Sequence, residues 1–533
     1  MWLEKIKEKQ LEELTRQDLL KAVEFECEFV KGLAYTKYCG VHLDSTKWKD
    51  KMDNDLKKYE QAIKELNEYV VKLDLDEYLY RIPKDRKEES KLSELGFERL
   101  DERRWRYYIK GKFTYVNYQG SLFDGFDTSP KCSINWGSSK QVIPLFELLG
   151  IQVDTFDKKT KKKKKSIEEK QIAPQADRFP IIPIFLRYQE AAKVVSTYGQ
   201  NWLNAINPIT GRIHVELHSI GTDTSRVSSG GGPYKLNQQN LPHDPVTRAC
   251  FTAEKGNKWL SSDFAGQESC ITASVAKDAE MMRILNTGGD LHSEVAKACW
   301  PSLLGNLADK EIKEKYKSYR QNAKGVEFGI FYGGDANTLH MNKGFPLAEA
   351  QEIYDSFMKK FSGIKKYQDY CRAEVMKKGY ILMNPILKHR AHIFDAEGLF
   401  RMQDKFKEEG FWKYYNEMKR DCPSSNTVQD IKKYFKRKAE SERQSINYRV
   451  QNRGACAFKL ATIKLFNWIV KNNYQNIVKI CVIVHDEIDL ECPEEIADEV
   501  KEILKKCMIE GGKPFCPNVY LGADVEVSDH WVH

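Results

Sequence analysis

The sequence predicts an α+β fold of several subdomains. Segments with helical spacing of apolar residues dominate the 533 residues. The few strand-like segments lie far apart, so a sheet must be assembled from distant parts of the chain. No internal repeat is visible, and the length exceeds what one simple core supports, which implies two to four domains or subdomains.

Bulk properties narrow the class. No apolar run is long enough to span a bilayer, so no membrane role is expected. The N-terminal "MWLEKIKEKQLEELTRQ" is charged and helical in pattern and lacks the apolar core of a signal peptide. Thirteen cysteines occur without C-x-x-C pairs, which suits reduced thiols in a cytoplasmic compartment, the host's if the source is viral. The net charge of +8 permits a polyanionic partner without demanding one. The sharpest basic cluster, "DKKTKKKKKS" (157–166), reads as a solvated, mobile loop or as a flexible contact to phosphates.

Taken in order, residues 1–80 read as helical, with a long charged helix after "GVHLD". "RRWRYYIKGKFTYVNY" suggests a short basic hairpin, and "INWGSSKQVIPLFELLGIQV" a turn followed by a helix. The lysine run and "APQADRFPIIP" mark a boundary before a helix at 184–200. Residues 206–229 are strand-rich, and 254–334 read as strand, long helix, loop, long helix. "KGYILMNPILKHRAHIF" reads as strand and turn. A charged, aromatic, helical segment covers about 397–440. A helix (442–470), a hairpin (477–490), a helix (493–508) and a strand close the chain.

"VIVHDEIDLEC" places His485, Asp486 and Glu487 at the tip of that hairpin. A carboxylate pair there is costly unless neutralised, and an exposed turn is the alternative. The second acid is Asp263 in "KWLSSDFAGQESCITASVAKD", at the end of a short strand. Acids from two strands of one sheet can hold a pair of Mg²⁺ ions, with Mn²⁺ as a substitute. Because strand side chains alternate, Asp486 is the expected ligand and Glu487 an auxiliary acid. The alternative for Asp263 is that it caps the helix behind it.

"YRQNAKGVEFGIFYGG" (319–334) spaces Arg320, Lys324, Phe328 and Tyr332 four residues apart, one stripe on an α-helix. Two cations one turn apart suit a polyphosphate, and aromatics on the same face suit a base or sugar. Arg443, Asn447 and Gln451 repeat the spacing with side chains able to read minor-groove acceptors.

Together these residues resemble the family A DNA polymerases, the class of bacterial DNA polymerase I, from about residue 22 to the end. "DFAGQE" looks like motif A, "RQNAKGVEFGIFYG" like motif B and "VHDE" like motif C. "TDTSRVSS" and "LNQQNLP" resemble primer–template contact segments. "NWGSSKQ" resembles a backbone-binding turn of the thumb, and "RYQEAAKVVSTY" the segment joining thumb to palm. The resemblance implies a right hand with an antiparallel palm sheet. After an N-terminal helical extension (1–21) come a thumb-like region (22–185), palm (186–275), fingers (276–374) and palm again (375–533), with an insertion at about 397–440.

The resemblance also implies roles. Asp263 and Asp486 match the metal ligands, Glu487 the supporting acid, and Arg320 and Lys324 the triphosphate contacts. Phe328 matches the aromatic beside the sugar, and Tyr332 the end of the fingers helix near the templating base. Glu268 matches the residue crowding the sugar 2′ position, and His292 a fingers histidine close to the phosphates. Arg226, Gln239, Arg443, Asn447, Gln451 and His485 match primer–template contacts. The implied partners are primer–template DNA and deoxynucleoside triphosphates. The sequence departs from the family at "AGQ" after Phe264, at Ser225 where Gly is usual, and in the insertion, roughly 35–40 residues beyond the norm.

A single-subunit RNA polymerase shares the hand, but Glu268 would crowd a ribose 2′ hydroxyl. A non-catalytic DNA-binding subunit on the same scaffold would not need Asp263, Asp486, Lys324 and Arg320. About two dozen residues precede the thumb-like pattern, too few for an independent domain. The expectation is a polymerase without proofreading, with any exonuclease or processivity subunit on a separate chain, in a phage-like setting.

Overall fold

The computed structural model describes residues 2–75, 78–81, 97–99, 105–107, 131–156 and 163–532. Two compact units emerge, one of residues 45–204 and one of residues 1–44 with 205–533.

In the smaller unit the helix Ser45–Lys72 packs against the helix Ile181–Thr197. Their buried faces enclose Leu66, Val70, Leu145, Phe146 and Phe185, with the two Phe rings edge to face at 5.1 Å. Of the basic hairpin expected over 103–118, Trp105–Tyr107 is a strand between Phe97–Arg99 and Leu79–Arg81; the rest lies outside the described residues. Of the lysine run, Lys163–Lys165 is not a loop but a strand paired with Asp154–Phe156; residues 157–162 lie outside the described residues.

The larger unit is built on a four-stranded antiparallel sheet of β1 (Asn257–Phe264), β2 (Lys479–Val484), β3 (Glu487–Pro493) and β4 (Ala523–Ser528), in the order β2-β3-β1-β4. The register sets Asp263 opposite Glu487 on one side and Asp524 on the other. Ile488, Leu490 and Cys492 of β3 alternate with Glu487, Asp489 and Glu491, and all six are buried. One face of the strand is therefore apolar and the other acidic.

Helices surround the sheet. We label them α1 (Leu20–Cys39), α2 (Gln267–Ala276), α3 (Leu291–Cys299), α4 (Lys317–Phe331), α5 (Ser362–Lys378), α6 (Asn426–Lys471) and α7 (Ala497–Gly512). Helix α1, read from sequence as thumb, belongs to this unit: the Lys459 ammonium of α6 binds Glu26 at 2.6 Å, and the Tyr35 hydroxyl donates to the Val478 carbonyl. Between β1 and α4 the chain breaks into several short helices rather than one long one, at turns such as Thr287–Gly289 and Gly305. Helix α6 starts sixteen residues before the expected 442. Ser425 caps it, and Val428, Ile431 and Tyr434 bury one face of the early turns, so the charged run continues the helix.

Two glycines let helices approach closely. Gly333, just past α4, has φ +81°, and a Cβ there would meet Ile446 Cδ1 of α6 at 2.9 Å. Gly454 of α6 faces Gln267, where a Cβ would lie 2.5 Å from its Oε1. All thirteen cysteines are free, and no helix among the described residues is long and apolar enough to cross a membrane.

Candidate active site

The hairpin β2–β3 closes in two residues, His485 and Asp486, with His485 in the left-handed region at φ +52°. His is among the residues that tolerate this conformation. The tight turn separates the acids that strand alternation would otherwise constrain. Asp486 sits within hydrogen-bonding reach of Asp263. Glu487 points instead to a buried pocket, accepting from Trp531 Nε1 at 2.6 Å and from Arg248 Nη1 at 3.3 Å, with the guanidinium 4.0 Å from the Trp531 ring.

Asp263 does not cap α2; Gly266 holds that position, with φ +63°. Its Oδ1 is buried without a partner. Burial first, then the charges of Asp486 and Glu487, push its carboxyl up to about 8. Burial also raises Asp486, against the pull of His485 and Arg226. Two carboxylates confined this closely hold on to a proton when no cation separates them.

Glu268, on the first turn of α2, receives a hydrogen bond from the Tyr332 hydroxyl. Burial pushes it up to about 7, opposed by Arg226 and assisted by Asp486 and Glu327. Arg226 thus stands among Glu268, Asp486 and His485. Its loop hangs from α6 through Tyr448 to Asp223 (3.0 Å) and Asn452 to the Thr224 carbonyl (3.1 Å). Ser225 adopts φ +59°, the left-handed region that favours Gly.

On α4 the stripe forms as spaced. Lys324 Nζ lies 6.0 Å from the Phe328 ring, which stacks with Tyr332 at 6.5 Å, and the His292 ring meets Phe328 edge-on at 6.2 Å. Arg320 is gripped by Asp290 through Nε (2.7 Å) and Nη2 (2.9 Å). Although burial works against it, that pairing and Ser293 hold Asp290 down at about 2. Lys324 is exposed.

Arg443 is exposed on α6 beside Gly333, Asn447 has a buried Oδ1 without a partner, and Gln451 is half-buried one turn on. Gln239 lies on the turn Gln238–Asn240, and no hydrogen bond or ion pair among the described residues joins its side chain to the acids.

Several supporting residues escaped the sequence reading. Glu327 is fully buried, accepting from Ser269 (2.7 Å) and lying 2.6 Å from His292 Nδ1, so it anchors the histidine beside the stripe. Its signal was an acid inside "AKGVEFG", three residues after Lys324 and seven after Arg320, on the cations' own side of the helix. Glu491 binds Arg212 at 2.7 Å, and Asp489 accepts from Ser261 at 2.6 Å and Trp259 at 3.1 Å. The alternating acids of "EIDLEC" were their signal.

An antiparallel sheet carrying a half-buried acid pair, flanked by a cationic and aromatic helix, is the arrangement of the nucleic-acid polymerases. DNA polymerase family A matches residues 126–533. DNA polymerase I of Streptococcus pneumoniae serotype 4 is 30% identical over 387 residues, 70% of this chain and 38% of that one. The thermostable DNA polymerase I of Thermus aquaticus is 28% identical over 392 residues, 73% of this chain and 40% of that one. A solved structure, the POL domain of Pol1 from M. smegmatis in complex with DNA primer-template and dNTP, superposes with a TM-score of 0.69 at 19% identity, covering 98% of this chain and 72% of that chain. The chain belongs to DNA polymerase family A. It spans about two fifths of the length of these curated relatives.

Proposed function

We propose that this chain is a template-directed DNA polymerase that extends a primer 3′ end with deoxynucleoside triphosphates. The observation that carries the reading is the pair Asp263–Asp486: half-buried, adjacent, and raised by loss of solvent and, at Asp263, by the neighbouring acids. The family and the solved neighbour's primer-template and dNTP support it.

The donor set fits a hard divalent cation. Asp263 offers a buried oxygen without a partner, Asp486 a second carboxylate, and Mg²⁺ usually takes one or two carboxylates with substrate phosphates and water. Among the described residues no cluster of three or more His, Cys, Asp or Glu side chains is set to hold a metal alone, so the remaining ligands would come from substrate and water. Mg²⁺ held by Asp263 and Asp486 would supply an acidified primer 3′ hydroxyl and charge stabilisation of the departing pyrophosphate.

The chain's own residues do the rest. Lys324, exposed on α4, places positive charge where the triphosphate develops negative charge. Arg320 keeps Nη1 clear of Asp290, a fixed cation one turn further out. Phe328, stacked on Tyr332 and flanked by His292, forms a wall for the sugar. Glu268, tied to Tyr332, stands beside that wall as the group that excludes a 2′ hydroxyl. Glu487 with Arg248 and Trp531 stiffens the hairpin that carries Asp486.

Primer extension by the purified protein with Mg²⁺ and the four deoxynucleotides tests the reading. Extension that disappears in Asp263→Ala and Asp486→Ala, with DNA binding kept, is the expected result.

A further inference from the structure

The insertion builds a surface that the polymerase reading does not use. Helices Ala396–Lys405 and Phe411–Asp421 fold back on the first turns of α6. Phe406 is their hub, stacked on Phe435 at 5.7 Å and packed on Trp412 at 5.0 Å and Tyr434 at 4.7 Å. Trp412 and Phe435 nevertheless remain 43% and 44% exposed, so each keeps ring surface open.

The same turns read "KKYFKRK" (432–438), five cations in seven residues. Lys433, Arg437 and Lys438 are paired with Asp430, Glu440 and Glu442. Lys432 and Lys436 are exposed and have no carboxylate partner among the described residues. Spacings of four, seven, four and four residues put Lys432, Lys436, Arg443, Asn447 and Gln451 on one stripe of a continuous helix. The unpaired lysines therefore extend the candidate DNA-contact face outward by about 16 Å, eleven residues at 1.5 Å each.

The direction of that extension selects the occupant. Gln451 lies toward Gly454, where α6 touches the motif A helix. Arg443 lies beside Gly333, at the end of α4 where Tyr332 faces the templating position in the reading above. Turns beyond Arg443 therefore lie on the far side of the templating position from the primer end. DNA there is uncopied single strand, whose bases are free to stack. Unpaired lysines beside open aromatic faces are the combination that binds single strands without sequence preference.

We infer that Lys432 and Lys436, with Phe435 and Trp412, bind the single-stranded template ahead of the site, an inference that rests on the polymerase reading. The test is fluorescence anisotropy with two primer–templates that differ only in 5′ template overhang, about 2 against about 12 nucleotides, in range of single-strand site sizes. The wild type should bind the long overhang about tenfold more tightly. Lys432→Ala/Lys436→Ala should lose that preference while keeping its affinity for the short overhang and its melting temperature. Its salt slope on the long overhang should fall by about 1.4, for two single-strand phosphate contacts. Equal wild-type affinity for both overhangs overturns the inference. So does a double variant that keeps the preference, which leaves the surface for a protein partner, or one that weakens both DNAs equally, which places the duplex there. Primer extension on the short overhang, run alongside, separates the two claims: extension without overhang preference sinks only this inference, and failure to extend sinks the polymerase reading.

Discussion

Replacing Asp263 by Asn should stabilise the metal-free protein while abolishing its activity. The structure places this carboxyl at about 8, against 3.8 for a free side chain, through burial and the charges of Asp486 and Glu487. The folded state then holds the proton more tightly than the unfolded chain does. Stability is complete below about pH 4, falls as pH rises through the range from about 4 to about 8, and is flat above it. A proton held that much more tightly is worth at most about 5 kcal/mol. Solvent screening and the shared proton of a half-buried pair reduce this to about 1–3 kcal/mol. An amide carries no charge to repel, so Asp263→Asn regains that amount, a rise in melting temperature of about 1–4 °C. Thermal melts in EDTA at about pH 8.5 and about pH 5.5 should show the gain at the higher pH and a smaller one at the lower. Added Mg²⁺ should raise the wild type and leave the variant unmoved. A variant that melts below wild type at high pH without metal would refute the idea that this acid pair is held in mutual repulsion.

Three further substitutions probe the surrounding shell. Glu268→Ala, which removes the carboxylate bound by Tyr332, should lower discrimination against ribonucleotides at least about tenfold, equal to about 1.4 kcal/mol, in single-nucleotide kinetics; unchanged discrimination removes its steric role. Lys324→Ala should cost about a hundredfold in kcat with little change in DNA affinity, as expected for charge that acts on the transition state. Arg248→Met strands Glu487 buried with only Trp531, and should destabilise the protein by about 3–5 kcal/mol in denaturant melts, with Arg248→Met/Glu487→Gln recovering most of it.

Local spacing made much of the site legible. The four-residue stripe on α4 needs only helical geometry, and Asp486 at a hairpin tip needs only strand patterning with a tight turn. What stayed hidden depends on tertiary pairing. "EIDLEC" alternates acid and apolar residues, the pattern of a half-exposed strand, yet Glu487, Asp489 and Glu491 are all buried because Arg248, Ser261, Trp259 and Arg212 arrive from elsewhere in the chain. Glu327 escaped for the same reason, since Ser269 and His292 meet it only in the fold. Sequence spacing starts α6 at 442 rather than Asn426 because the charges of the early turns hide the apolar face of Val428, Ile431 and Tyr434. The break of the region after Asp263 into short helices turns on glycines such as Gly288 and Gly305 that periodicity alone tolerates.

The account stands most directly on Asp263 and Asp486. Purified protein, a radiolabelled primer–template, Mg²⁺ and deoxynucleotides should give full-length product. Asp263→Ala and Asp486→Ala should each fall below about a hundredth of that rate, a loss of about 2.7 kcal/mol in transition-state stabilisation, while binding DNA as tightly as wild type. Substantial extension by either variant would contradict the claim that these two acids hold the reacting centre.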